Sequence, residues 1–298
     1  MSDLRERIGR VGVWSGLLGS SSAADERAAA AEIERLGFGA IWYSETPAGK
    51  EALVHAGILL AATERVLVAS GIASVYARDA IATANGATAL AEAHDGRFVL
   101  GLGVSHAPAV ARRGHEYGRP VATMREYLDA MASAQPSFPP PSEPVPIVLA
   151  ALRRRMLELA AERTAGAHPY LTPPEHTERA RAILGPDALL APEQMVLLET
   201  DPARAREIAR RTVSYYLDLP NYASNLRELG FGDDDLADGG SDRLIDAIVA
   251  WGDEAAIAAR VRDHLDAGAD HVCVQPLDAT LAGQMAQLRR LAQLADAT

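Results

Sequence analysis

Two residues of this 298-residue chain have side chains suited to proton transfer and follow short apolar runs. Glu45 comes just after Ala40–Tyr43, where desolvation could raise the pKa of its carboxyl group and fit it to handle a proton. His106 follows a second apolar run, 98–104, and is the nearest imidazole that could share this task. Either residue could instead be structural, as a capping or ion-paired carboxylate and a polar filler histidine.

Small residues interrupt the third apolar run at Ser70-Gly71-Ile72. A glycine inside a strand often marks a bulge or a place where a ligand approaches the backbone, and a simple strand end is the alternative. Gly101 and Gly103 lie inside the fourth run. They lack the third glycine and the strand-to-helix position of a dinucleotide-binding turn, so we interpret them first as a site of close packing.

Three consecutive arginines, 153–155, stand where a helix is predicted to begin. Free backbone N–H groups at a helix start attract anions, and arginine side chains add positive charge. The cations oppose the helix dipole unless an anion is bound there. This segment is therefore either an anion site or a solvated run of charge.

The elements that position these residues alternate between short β-rich runs and longer runs of helical period. The predicted strands are 8–14, 40–43, 66–72, 98–104, 145–150, 166–170, 195–198 and 271–275. Helices are predicted after each strand, and the stretch 213–267 is predicted to hold additional helices. Eight such units predict a (β/α)8 TIM barrel, formed by one domain over 1–298, with additional helices between strands seven and eight. An open doubly wound sheet is the alternative. In a barrel, the functional residues lie at the carboxyl ends of the strands.

Composition excludes several function classes. The chain has 29 Lys and Arg against 40 Asp and Glu, a net charge of −11, which argues against nucleic acid as a partner. There is no apolar run of about 18 residues, so no membrane span is expected. A lone cysteine, Cys273, allows no intrachain disulfide. The eight histidines are scattered and predict no metal site. The charged start, 1–7, predicts no signal peptide, a strand directly after it, and a cytoplasmic protein.

In the order and spacing of several segments, the sequence resembles the luciferase-like monooxygenase superfamily, and within it the coenzyme F420-dependent oxidoreductases. The segments that carry the resemblance are 37–45, 69–79, 96–104, 157–163, 166–170, 219–222 and 267–272. The resemblance implies a (β/α)8 barrel in which the deazaflavin F420 lies across the strand ends. It also implies a non-prolyl cis peptide on the third strand, at Ser70-Gly71-Ile72, that supports the cofactor ring.

The resemblance further assigns candidate site residues. The cofactor phosphate is expected at the turn after the fifth strand, formed by Ala150, Ala151, Leu152 and Arg153. The remaining candidate cofactor contacts are Ser70, Gly71, Ile72, Gly103 and His168, and the candidate catalytic residues are Glu45 and His106.

The chain also departs from its relatives at three places. Relatives commonly have glycine and proline in the phosphate turn, where this chain has Arg153-Arg154. Thr46 stands where several relatives have histidine, and Val104 where they often have glutamate. The last two differences argue against a sugar-phosphate dehydrogenase.

Together these features predict an F420-dependent oxidoreductase that transfers a hydride between the deazaflavin and a small organic substrate. An FMN-dependent monooxygenase of the same fold is the first alternative, and a non-catalytic flavin-binding barrel is the second. The expected partner is a small-molecule substrate, with no nucleic acid and no membrane. The sequence is compatible with a homodimer.

Overall fold

A computed structural model of the chain describes residues 2–296. The predicted domain 1–298 also includes Met1, Ala297 and Thr298, which lie outside the described residues. The strands are β1 Val11–Trp14, β2 Ala40–Tyr43, β3 Leu67–Ser70, β4 Ala73–Ser74, β5 Phe98–Gly103, β6 Ile147–Leu149, β7 Gly166–Ala167, β8 Leu189–Leu190, β9 Glu193–Leu197, β10 Val249–Trp251 and β11 Val272–Pro276.

Helices follow most of the strands. They are α1 Ser2–Ile8, α2 Ala23–Arg35, α3 Ala52–Leu60, α4 Ala80–Ala93, α5 Ala107–Arg112, α6 Pro120–Ala132, α7 Arg154–Arg163, α8 Pro174–Leu184, α9 Pro202–Leu217, α10 Pro220–Glu228, α11 Asp233–Leu236, α12 Asp242–Ile248, α13 Glu254–Asp266 and α14 Leu281–Arg290. Several begin at a residue whose side chain caps the helix. The Ser22 hydroxyl accepts a hydrogen bond from the Asp25 N–H at the start of α2, at 3.1 Å.

All strand pairs among the described residues are parallel, and their order curls the sheet into a barrel. The order runs β9-β11-β1-β2-β3-β5-β6-β7-β8, with β10 paired to the outer side of β9 and β4 extending β3 alongside β5. Only Ala191 and Pro192 separate β8 from β9. The Ala191 N–H donates to the Ala167 carbonyl at 3.0 Å, and the Cys273 N–H donates to the Pro192 carbonyl at 2.9 Å. This broken strand therefore joins β7 to β11 and closes the ring.

The predicted (β/α)8 barrel is thus confirmed, and the open doubly wound sheet is wrong. The third barrel position is shared by β3 and β4, the seventh by β8 and β9, and the eighth is β11. The additional helices between the seventh and eighth positions are present as α9 to α12. The apolar runs read from the sequence are buried on both faces, as expected for strands covered by helices.

Two details of the prediction are wrong. The charged start does not lead directly into a strand, because residues 2–8 form helix α1 and Ile8 is its last residue. The stretch 213–267 is not entirely helical, because Val249–Trp251 forms β10. The segment belongs to the apolar run 248–251, a strand-type pattern inside the stretch predicted as helical, and its pairing with β9 stabilises it as a strand.

Close packing of the strands depends on Gly101. A side chain at this position would overlap the Ser70 carbonyl oxygen on β3. The packing interpretation of this glycine is therefore correct. No helix among residues 2–296 is long and apolar enough to cross a membrane.

Candidate functional site

The segment that joins β3 to β4 lies at the carboxyl edge of the barrel. The Gly71–Ile72 peptide bond is cis, as the resemblance implies. Ser70 is buried between the strands, where its hydroxyl donates to the Gly101 carbonyl at 2.8 Å and accepts from the Gly101 N–H at 2.9 Å. Ser70 therefore holds β3 against β5, while Gly71 and Ile72 reach the mouth.

Gly71 packs directly on two aromatic side chains that belong to other strands. The Trp14 indole N–H donates to the Gly71 carbonyl at 3.2 Å. A Cβ atom at position 71 would lie 2.7 Å from Trp14 Nε1 and 2.9 Å from His168 Nε2. Next to it, Ile72 fills the space beside Gly103, where a Cβ would lie 2.5 Å from the Ile72 Cδ1 atom. The structure thus brings together Gly71, Ile72, Gly103 and His168.

His168 lies below this segment, inside the barrel. Its ring stacks on Trp42 at 4.3 Å, and its Nδ1 donates to the Ala191 carbonyl at 2.7 Å. Burial lowers the pKa of His168 to about 4, so the ring is neutral at physiological pH. Its Nε2 has no hydrogen-bond partner among the described residues. In this arrangement His168 supports the Gly71 backbone from beneath.

Glu45, the first candidate catalytic acid, is held by several groups. Its side chain is 2% exposed and forms an ion pair with Arg78. Its other oxygen accepts from the Ser74 N–H at 2.8 Å, and Arg113 lies 3.9 Å away. These contacts tie the end of β2 to β4 and its following loop. Any role of Glu45 in proton transfer has to compete with the Arg78 ion pair.

His106, the second candidate, lies at the start of α5 and contacts the additional helices. Its Nδ1 is 3.1 Å from the Asn221 side-chain oxygen on α10, and its ring centroid is 5.4 Å from that of Tyr222. Burial lowers the pKa of His106, and the Asn221 hydrogen bond opposes this shift. Burial therefore favours the neutral form of His106, whose ring packs against α10.

The predicted phosphate turn lies opposite β1 in the ring. Ala150 continues β6, and its N–H donates to the Leu102 carbonyl at 2.8 Å. The Leu152 carbonyl accepts from His176 Nε2 at 2.6 Å. Arg153 is about half exposed and lies 3.6 Å from Glu228 on α10. The arginine is thus available at the surface, with a carboxylate as its present neighbour.

The structure shows an aromatic cluster that the sequence pattern did not single out as a unit. The Tyr170 hydroxyl forms hydrogen bonds with the Tyr216 hydroxyl at 3.0 Å and with the Gln275 side-chain oxygen at 2.9 Å. The Tyr170 ring lies 5.1 Å from Trp14. Burial raises the pKa of Tyr216 to about 12, so this phenol stays protonated at physiological pH. Tyr216 was not predicted as a site residue because it lies near the end of helix α9, and the sequence reasoning considered residues that directly follow strands.

Glu193 is the second residue that the sequence reasoning missed. It begins β9 inside the barrel and is 1% exposed. One carboxyl oxygen accepts from the Leu171 N–H at 3.2 Å, and the other has no partner among the described residues. Burial raises the pKa of Glu193 to about 8, which favours its neutral form. The available signal was an acidic residue within the apolar stretch 188–198.

A cleft of about 810 Å³ opens at the carboxyl ends of β1, β2, β9 and β11. Aliphatic side chains and the rings of Trp14 and Tyr216 line about half of it, and polar and charged side chains, among them Glu199, Arg204 and Arg290, line the rest. Its lining residues include Trp14, Ser44, Leu197, Thr212, Tyr216, Gln275 and Leu277. In the part of the chain that the structure describes, no three His, Cys, Asp or Glu side chains group as a metal site requires.

Comparison with known proteins places the chain in a family. The sequence pattern of the luciferase-like monooxygenases matches residues 10–271. The chain belongs to this family. An uncharacterized protein of Mycobacterium tuberculosis is 28% identical over 248 residues, covering 69% of this chain and 72% of that protein. Membership supports an enzyme of the oxidoreductase or monooxygenase type.

Solved structures with this fold include enzymes that bind F420 or FMN. An F420-dependent secondary alcohol dehydrogenase, in complex with an F420-acetone adduct, has a TM-score of 0.76 at 14% identity, covering 96% of this chain and 99% of that one. The oxygenating component of the Pseudomonas putida 3,6-diketocamphane monooxygenase, in complex with FMN, has a TM-score of 0.69 at 13% identity, covering 96% of each chain. At these identities the likeness shows the fold alone.

Proposed function

We propose that this protein is an F420-dependent oxidoreductase that transfers a hydride between the deazaflavin and a small organic substrate. The observation that carries the proposal is the cleft at the strand ends, with Trp14 on one wall and Tyr216 on another. A volume of about 810 Å³ is sufficient for a flat tricyclic ring together with a small second molecule. Similarity to F420-dependent enzymes in fold and in sequence segments supports the choice of cofactor.

The residues of the cleft fit a planar, partly polar ring. Trp14, Leu197 and Leu277 provide apolar surface, while Ser44 and Thr212 provide hydroxyl groups. When bound, a deazaflavin supplies the carbon that gives or accepts a hydride. The protein's contribution is to orient ring and substrate against each other and to exclude water. Gly71 and Ile72 do not line the cleft themselves; Gly71 holds the Trp14 indole that does, and we propose that this segment supports the ring through Trp14.

The anionic tail of the cofactor needs cations nearby. We propose that the turn Ala150–Arg153 holds its phosphate, because α7 begins there and Arg153 is exposed. Binding would then replace Glu228 as the neighbour of Arg153. A proton at the site is proposed to pass through His106 or Glu45, and His106 is the less constrained of the two, since it has no ion pair.

An FMN-dependent monooxygenase is the second candidate function. The same cleft accommodates an isoalloxazine ring, and an FMN-bound monooxygenase shares the fold over 96% of this chain. The two proposals differ in whether the reduced enzyme consumes oxygen, because flavins react with oxygen and hydride-transferring deazaflavin enzymes do not depend on it.

The test is a titration of the purified protein with F420 and, separately, with FMN, followed by fluorescence quenching. Tight binding of F420 without binding of FMN supports the first proposal. Binding of FMN with oxygen consumption after reduction supports the second. If a cofactor binds and a panel of ketones, alcohols and imines gives no turnover, the protein is a non-catalytic flavin-binding barrel. If neither cofactor binds, both proposed activities are wrong.

A further inference from the structure

Three side chains form a hydrogen-bonded series, and the residues at its two ends line the cleft. Gln275 on β11 bonds to Tyr170, and Tyr170 bonds to Tyr216 on α9. Gln275 and Tyr216 both line the cleft. The Tyr170 hydroxyl is the link between them, at 2.9 Å from Gln275 and 3.0 Å from Tyr216.

The direction of the hydrogen bonds along this chain is reversible. A phenol hydroxyl has one proton to donate and also accepts, and an amide has a donor end and an acceptor end. When Gln275 presents its oxygen, Tyr170 donates to it and Tyr216 donates to Tyr170. The Tyr216 oxygen then faces the cleft only as an acceptor. When Gln275 presents its amino group, every bond reverses and the Tyr216 hydroxyl is free to donate.

We infer that Tyr216 binds the oxygen of a ketone or secondary alcohol in the cleft, and that the Gln275–Tyr170–Tyr216 chain switches its polarity between donor and acceptor. This inference rests on the proposed function and names the substrate class. In the reaction the ketone carbon gains a hydride from the reduced cofactor, and the ketone oxygen gains a proton from solvent. The substrate oxygen is therefore an acceptor before the reaction and a donor after it.

Burial keeps this arrangement intact across the physiological range. Gln275 is 8% exposed, and the amide has no other hydrogen bond among the described residues that would fix its orientation. The pKa of Tyr216 is raised to about 12, so the phenol remains protonated and can serve as a donor or as an acceptor. A tyrosine that ionised near neutral pH could only accept.

The experiment measures binding of a matched pair of probes, cyclohexanone and cyclohexanol, to the cofactor-free protein by ligand-observed NMR. We expect the wild-type protein to bind both probes with similar Kd values. Tyr216→Phe should weaken both by about five- to tenfold, the effect of one lost hydrogen bond. Tyr215→Phe is the matched control, because Tyr215 is the neighbouring residue on α9 and is 61% exposed. It should leave both Kd values unchanged.

Gln275→Glu tests the polarity switch itself. An ionised carboxylate can only accept, so Tyr216 is held as an acceptor toward the cleft. As pH rises from 6 to 10, this variant should come to prefer cyclohexanol over cyclohexanone by about tenfold. The wild-type protein, measured over the same pH range, shows whether titration of Glu193 by itself changes the preference between the two probes. A purely structural role for Gln275 would not produce a pH-dependent preference.

Three results would overturn the inference: unchanged binding in Tyr216→Phe, a constant probe preference in Gln275→Glu at all pH values, or no binding of either probe to the wild type. These failures are distinct from failure of the proposed function. The cofactor titration can succeed while the probes show that Tyr216 does not contact the substrate oxygen.

Discussion

Replacing Glu193 with glutamine should make the protein more stable at alkaline pH. The wild-type carboxyl group is 1% exposed, accepts one hydrogen bond from the Leu171 N–H, and has a second oxygen without a partner among the described residues. Burial raises its pKa from 4.5 to about 8. Glutamine has nearly the same shape, can accept the same hydrogen bond and does not ionise.

The size of the effect follows from the pKa difference between the folded and unfolded chains. The folded protein retains the Glu193 proton between pH 4.5 and about 8, whereas the unfolded chain loses it. A raised pKa in the folded state therefore stabilises the protein at low pH, and this stabilisation is lost as pH rises through 8. With about 1.4 kcal/mol for each pKa unit, the loss between pH 4.5 and about 8 is on the order of 5 kcal/mol, of which about 1 kcal/mol has already occurred at pH 5.

Urea unfolding at pH 5 and pH 9 measures the effect. We expect Glu193→Gln and wild type to differ by about 1 kcal/mol or less at pH 5, and the variant to be more stable by about 3–4 kcal/mol at pH 9. Glu178→Gln, an exposed position on α8, is the control and should follow the wild type at both pH values. If the two Glu→Gln variants show the same pH dependence, Glu193 is not a buried carboxyl group of raised pKa.

Three further predictions concern packing, buried histidines and the anion site. Gly101→Ala should lower the free energy of unfolding by about 3 kcal/mol or more, because the added methyl overlaps the Ser70 carbonyl; an unchanged urea midpoint would contradict the packing account. Burial lowers the pKa of His271 to about 4, so the neutral form of this residue stabilises the fold above pH 6.5. This contribution, up to about 3 kcal/mol, is lost as pH falls toward 4. Unfolding measured from pH 7 to pH 4 should show a weaker pH dependence in His271→Gln and an unchanged one in the exposed control His115→Asn. Arg153→Glu should weaken cofactor binding more than Arg155→Glu in a fluorescence titration. Equal effects of the two substitutions would show that this turn does not bind the cofactor phosphate.

The sequence predicts the barrel well because its strands are continuous apolar runs separated by capped helices. The Ser22 cap of α2 and the apolar run 98–104 are local signals, and both are observed. The apolar run 248–251 is a similar local signal, but β10 was missed because this run is short and lies inside the stretch 213–267 that was predicted as helical. The helix at 2–8 was missed because the charged start was interpreted only as evidence against a signal peptide.

The candidate site was predictable only where its residues follow strands directly. Gly71, Ile72, Gly103 and His168 do come together, since parallel strands end at the same edge. Tyr216 could not be placed, because its position depends on how α9 packs over the mouth. Likewise, the ion pair of Glu45 with Arg78 is a contact between two loops, and spacing in the sequence does not show whether such loops meet.

A crystal structure of the protein with F420 tests the central claim most directly. The account predicts the deazaflavin ring in the cleft at the ends of β1, β2, β9 and β11, in contact with Trp14 and close to Tyr216, with the cofactor phosphate at Ala150–Arg153. A ring bound outside this cleft, or a protein that takes up no F420 at saturating concentration, would contradict it.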